Sequence, residues 1–168
     1  MQTVLSRTLR ILTPAVLGLL AFSVTPLTSE ELPHTGAQVV IWVPDNWSQQ
    51  GNEDSLMIMD PDQEVFVTFA HMGDYDLTRA LELLEEELAG FIEEARSDDQ
   101  GRRGQLNGMD VFQMSGSGKI KGSEVRLWIR ILETPNRHAF LAVGVVPVSR
   151  IERHGETVRR ILDAIRPL

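Results

Sequence analysis

The run His138–Val146, HAFLAVGVV, constrains the fold of this chain more than any other stretch, because it holds almost no polar side chain. A strand lying on a sheet surface alternates apolar and polar residues, whereas one covered on both faces is apolar throughout. Upstream, Ile120–Glu133 places Val125, Leu127, Ile129 and Ile131 on one side, and Thr134-Pro135-Asn136-Arg137 turns the chain between the two runs. A turn this short pairs its flanking strands antiparallel. The chain is therefore expected to build an antiparallel sheet with material packed on it.

Two amphipathic segments supply that material. From Asp76 to Arg96, Leu77, Ala80/Leu81, Leu84, Leu88, Phe91/Ile92 and Ala95 recur at three- and four-residue steps, which predicts one long helix. Asp74 or Asp76 can cap its start, and Arg96 suits the negative end of its dipole. A closing helix is predicted over Ile151–Ile165, with Ile151, His154/Gly155, Val158, Ile161/Leu162 and Ile165 sharing a stripe. Further strands are expected at Gln38–Val43, ended by Pro44-Asp45-Asn46, and at Ser55–Met59 and Glu64–Ala70 across the turn Asp60-Pro61-Asp62-Gln63. Ser97–Gly104 reads as a charged loop, and Ser115-Gly116-Ser117-Gly118 as a tight connection after Val111–Met114. The order is βββ-α-βββ-α, an α+β domain whose antiparallel sheet is flanked by helices.

Ahead of this domain, residues 1–23 have the layout of an export signal. Arg7 and Arg10 supply positive charge, Ile11–Phe22 a short apolar core, and Ala21-Phe22-Ser23 the small residues of a cleavage site. The apolar run is broken by Thr13 and Pro14 and is short of the roughly 20 residues a spanning helix needs, so cleavage is favoured over retention as an N-terminal anchor. The expected location is periplasmic or secreted, without stable membrane insertion after cleavage. Residues 24–37 read as a flexible tether and 38–168 as one domain. Loss of the two arginines takes the formal charge from −8 to −10. Nucleic acid is excluded as a partner on that balance, since its binding rests on Lys and Arg contacts to phosphate. The absence of cysteine removes disulfides and thiolate chemistry.

No residue pattern points to catalysis. The four histidines, His34, His71, His138 and His154, include no pair at metal-ligand spacing and read as surface or strand-end residues. Asp60-Pro61-Asp62-Gln63-Glu64 lacks the glycine and the distal Glu of a calcium loop, because Val65 and His71 stand there. Gly116-Ser117-Gly118-Lys119 lacks the rest of a phosphate loop, and no GxSxG elbow is present. Neither cofactor nor metal is expected. Two surfaces remain as candidates. Glu82, Glu85, Glu86, Glu93 and Glu94 lie on the far face of the long helix, ordinarily a solvated surface but able to steer a basic partner. Arg126, Trp128 and Arg130 share one face of the long strand; they could form a ligand platform, or the closing helix could cover Trp128 while acids pair the arginines.

Four stretches together resemble the PsbP-like superfamily: Val39–Trp47 (VVIWVPDNW), Leu106–Phe112 (LNGMDVF), Phe140–Val146 (FLAVGVV) and Ile161–Pro167 (ILDAIRP). That group includes extrinsic photosystem subunits, Ran-binding nuclear-import proteins and small exported bacterial proteins such as the DcrB family. The resemblance implies an α/β/α sandwich, with Trp47 packed near the first hairpin, Gly108 in a turn and Ile165 anchoring the last helix. It also implies a non-enzymatic accessory or binding protein, here one with a protein partner in the cell envelope. A periplasmic small-ligand carrier and an unrecognised hydrolase are the alternatives.

Overall fold

In the computed structural model, residues 30–52 and 54–168 are described, the side chains of 85–91 excepted. The export signal and the first part of the tether lie outside the described residues. From Glu30 the chain forms β1 (Glu30–His34), β2 (Val39–Val43), β3 (Ser48–Gly51), β4 (Ser55–Met59), β5 (Phe66–His71) and α1 (Leu77–Phe91). Then follow β6 (Glu93–Ser97), β7 (Arg102–Leu106), β8 (Met109–Ile120), β9 (Ser123–Glu133) and β10 (Ala139–Pro147). A short 3-10 turn leads into α2 (Ile151–Asp163) and β11 (Arg166–Pro167). The fold is α+β and its pairings are antiparallel. Eight strands make the main sheet in the order β3-β4-β5-β10-β9-β8-β6, with β7 also on β8, and β1-β2-β11 make a small second sheet.

Strand β10 sits inside the main sheet between β5 and β9, as its composition requires. Its residues divide between two cores. Ala139, Leu141, Val143 and Val145 join Val125, Leu127, Ile129 and Ile131 of β9 beneath Leu77, Ala80 and Leu84 of α1. Phe140, Ala142 and Val146 face the other way, against Val158, Ile161 and Leu162 of α2 and Val39, Ile41 and Val43 of β2. The result is a helix on one face of the sheet, and a helix with the small sheet on the other. Asp76 caps α1, its Oδ1 accepting the Arg79 amide at 2.8 Å.

Trp47 is 5 % exposed and Ile165 fully buried in the second core. Gly108 (φ 88°) follows Asn107 (φ 51°) in the two-residue turn joining β7 to β8. That pairing of left-handed residues is the turn that matches strand twist.

Several expectations need correction. The tether assigned to 24–37 is not a tether over its second half, since Glu30–His34 pair along β2. The long helix stops at Phe91, so Glu93, Glu94, Ala95 and Arg96 belong to edge strand β6 and do not extend the α1 face. The cause lies in Ser115–Gly118, which is the middle of β8 and makes no turn. A Cβ at Gly118 would stand 2.2 Å from Ile92 Cγ2, and one at Gly116 2.6 Å from the Arg96 carbonyl oxygen. Bare glycines thus let the chain after Phe91 press onto β8 and pair with it. The hairpin turn falls later, at Lys121-Gly122 (φ 50° and 77°), between paired Ile120 and Ser123. Ser97–Gly104, expected as a loop, already contains the start of β7.

Candidate functional site

Strand β2 alternates: Val39, Ile41 and Val43 enter the core, while Val40 and Trp42 face the opposite way, toward β11 and the exposed side of α2. There an open groove of about 660 Å³ runs between the small sheet and α2. Val40, Trp42, Ala164 and Pro167 supply its apolar walls. The Arg160 guanidinium lies over the Trp42 ring, 4.4 Å from its centroid. Stacked in this way, an Arg buries its flat face and leaves its in-plane N–H donors outward.

The charges around Arg160 are already engaged. Arg166 holds Glu31 at 2.7 Å, and Arg130 holds Asp163 at 3.1 Å. Arg160 itself has no carboxylate within 4 Å among the described residues. Asn107 closes one end: its Nδ2 donates to the Asp163 and Ile165 carbonyl oxygens at 3.0 and 2.7 Å, securing the last turn of α2. The geometry offers an exposed planar cation on an aromatic base, flanked by apolar side chains.

The acidic surface read from sequence is dispersed. Glu82 is exposed on α1 and pairs with Arg79 at 2.6 Å. The side chains of Glu85 and Glu86 lie outside the described residues. Glu94, on β6, is held by Lys119 at 2.7 Å, and that ammonium keeps its carboxyl below the usual carboxylate range. Glu93 is exposed on the same strand. On β9, Arg126 pairs with Asp98 at 2.8 Å, and Arg130 with Asp163. Trp128 is half-buried under α2, close to Gly155, with the Arg159 guanidinium 5.9 Å from its ring centroid.

The structure also gathers three histidines that sequence spacing left apart. His71, at the end of β5, places Nε2 2.8 Å from Nδ1 of His138, which precedes β10. Nε2 of His138 lies 2.8 Å from Asp74 Oδ1. The buried His34 ring is 6.4 Å from that of His71 and meets Phe140 edge-on at 5.1 Å. Burial first, then the charges available to His138 and His34, push His71 below its ordinary value, against the opposite pull of Asp54 and Asp74. His154, the fourth, is buried under Trp47 with Nε2 3.8 Å from Asp60 Oδ2. Asp60 Oδ1 accepts the amides of Glu64 and Val65, both at 2.9 Å, which makes Asp60–Gln63 a tight turn.

No helix among the described residues is long and apolar enough to cross a membrane. No family model and no curated protein sequence matches the chain. Solved structures do. Cyanobacterial PsbP from Synechocystis sp. PCC 6803 superimposes with a TM-score of 0.60 at 10 % identity, over 89 % of this chain and 99 % of that one. LpqN of Mycobacterium tuberculosis, described as involved in cell envelope biogenesis, gives 0.55 at 16 % identity over 84 % and 88 %. The Ran-binding protein Mog1p of Saccharomyces cerevisiae gives 0.54 at 10 % identity over 79 % and 84 %. The chain spans about half the length (49 %) of a Bacteroides thetaiotaomicron protein that matches 84 % of it, with TM-score 0.57 and 13 % identity. At such identities the likeness is one of architecture, and the architecture is the PsbP-like fold.

Proposed function

We propose that this protein is an exported, non-catalytic accessory protein of the cell envelope, and that it acts by holding a protein partner in the groove beside α2. The observation that carries this reading is Arg160 stacked on Trp42 in an open groove lined by both apolar and charged side chains. Trp and Arg are the residues most enriched where protein interfaces concentrate their binding energy. The uncommitted guanidinium fits a carboxylate of the partner, which it can grip through two parallel hydrogen bonds. An open groove suits a protein segment better than a small ligand, which needs a cavity that buries most of its surface. Export is supported by the basic and apolar N-terminal segment of the sequence and by the envelope role given to LpqN. Partner binding is in keeping with the description of Mog1p as Ran-binding.

The test is site-specific photocrosslinking in the native cell. A photoreactive residue at Ala164 should give one dominant protein adduct, and Arg160→Glu in the same chain should abolish it. The same probe at Glu82 on α1 serves as the comparison. An adduct at Ala164 that survives Arg160→Glu, or adducts formed only from Glu82, would refute this assignment of the surface.

A further inference from the structure

Outside the groove, the histidine cluster joins three separate parts of the chain. His71 ends β5, Asp74 follows it, His34 ends β1, and His138 leaves the β9–β10 turn. Asn136 in that turn donates from Nδ2 to the Gly36 carbonyl oxygen at 3.0 Å and lies 3.1 Å from His138 Nδ1. His34 Nδ1 accepts the Ala37 amide at 3.1 Å, which shapes the β1–β2 turn. The imidazoles therefore stand where the small sheet is fastened to the end of the main one.

The proton count in this cluster is restrictive. The His138 Nε2–H donates to the Asp74 carboxylate, which leaves Nδ1 as an acceptor facing His71 Nε2. One hydrogen fits between the apposed nitrogens, and His71 Nε2–H supplies it. A proton added to His71 Nδ1 leaves that bond in place, now donated by a cation. A further proton on His138 Nδ1 sets N–H against N–H and two like charges 2.8 Å apart. The other ionisable groups facing the pair are His34 on β1, Asp54 ahead of β4 and Asp74; Arg137 in the β9–β10 turn is turned to Glu133, 3.6 Å away.

We propose that His71 and His138 form an acid-released latch, which ties the β9–β10 turn to the end of β5 while one hydrogen bridges the rings and lets go when both become imidazolium; Asn136, beside His138 Nδ1, passes the release to Gly36 in the β1–β2 turn. Burial first, and then the neighbouring imidazoles, lower the proton affinity of His71, so the closed state resists charging at that ring. Release is local: the two cores lie on other side chains.

Hydrogen exchange of the Ala37 amide tests this on the intact protein. Opening that frees one ordinary imidazole would raise the opening constant about 30-fold between pH 7.5 and 5.0, and opening that frees two by up to about 900-fold. The latch predicts a rise well above 30-fold in the wild type, cut at least tenfold by His138→Gln. Nitrogen-15 imidazole spectra of the wild type give a second reading that needs no variant. They should show His71 and His138 titrating as one coupled pair, in step with loss of protection at Ala37, with His34 followed separately in the same spectra. Independent one-proton curves for the two rings, or an Ala37 amide equally protected at both pH values, would overturn the proposal.

Discussion

Replacing Gly144 by alanine should loosen the seat of α2 on the sheet. Gly144 lies in β10 between Val67 of β5 and Trp128 of β9. A Cβ there would stand 2.3 Å from Val158 Cγ1 and 3.3 Å from Leu162 Cδ1. Both side chains are fully buried, so neither can swing into solvent. Ordinary carbon contacts are near 3.5–4.0 Å, so the helix or the strand must give by more than 1 Å. Overpacking of this kind costs about 1–3 kcal/mol, against about 0.5–1 kcal/mol regained by removing a strand glycine. A net loss of about 1–2 kcal/mol is expected from urea denaturation midpoints. Val158→Ala alone should cost about 2 kcal/mol through lost burial and a cavity. In the double variant the new methyl group occupies that space, so the two losses should fall short of their sum by at least about 1 kcal/mol. If Gly144→Ala is neutral or stabilising, or the pair adds simply, β10 and α2 do not meet as closely as described.

Three other outcomes follow from single groups. Asp60→Ala removes the acceptor of two backbone amides at a residue only 1 % exposed, and should cost about 2–3 kcal/mol by thermal or urea unfolding, whereas Asp60→Asn retains one oxygen and should cost less. Asn107→Gly keeps the left-handed turn but drops both bonds to the end of α2, so a loss of about 1–2 kcal/mol should accompany faster exchange in residues 163–165. His71 binds its proton less readily folded than unfolded, so its contribution to stability is complete above about pH 6.5 and declines as pH falls below that value. Unfolding midpoints at pH 7.5 and 5.0 should show this loss in the wild type and a smaller one in His71→Gln.

The parts of the fold legible in the sequence are those whose residues carry their own signal. The apolar run of β10, the stripe of α2 and the Asn107-Gly108 turn each show a pattern that only one local structure satisfies. Strands β1, β3, β6, β7 and β11 carry none: Glu30–His34 contains a proline, Ser48–Gly51 is polar, and Glu93–Ser97 is charged and fully exposed. Such segments become strands because a neighbour offers them hydrogen-bond partners, not through any preference of their own. The helical period running past Phe91 was real in the sequence and was overridden by pairing with β8, where Gly116 and Gly118 allow close approach.

The candidate sites were harder to see for a related reason. Trp42 reads as one more strand residue, and Arg160 as a favourable charge near a helix end. Only the return of β11 along β2 brings the two together. Likewise His34 and His71 end two strands and His138 immediately precedes a third, and they meet because β5 pairs with β10 and β1 with β2. The sheet order that assembles both sites is non-local, and no window of the sequence contains it.

A protein that works by holding another through Arg160 and Trp42 should leave the cell with that partner bound. Native mass spectrometry of the protein recovered gently from its own cells tests this most directly. A complex with the mass of one second protein is expected, retained by the wild type and lost in Arg160→Glu with the fold intact. A bound small molecule of a few hundred daltons, or a protein complex indifferent to Arg160→Glu, would contradict this reading.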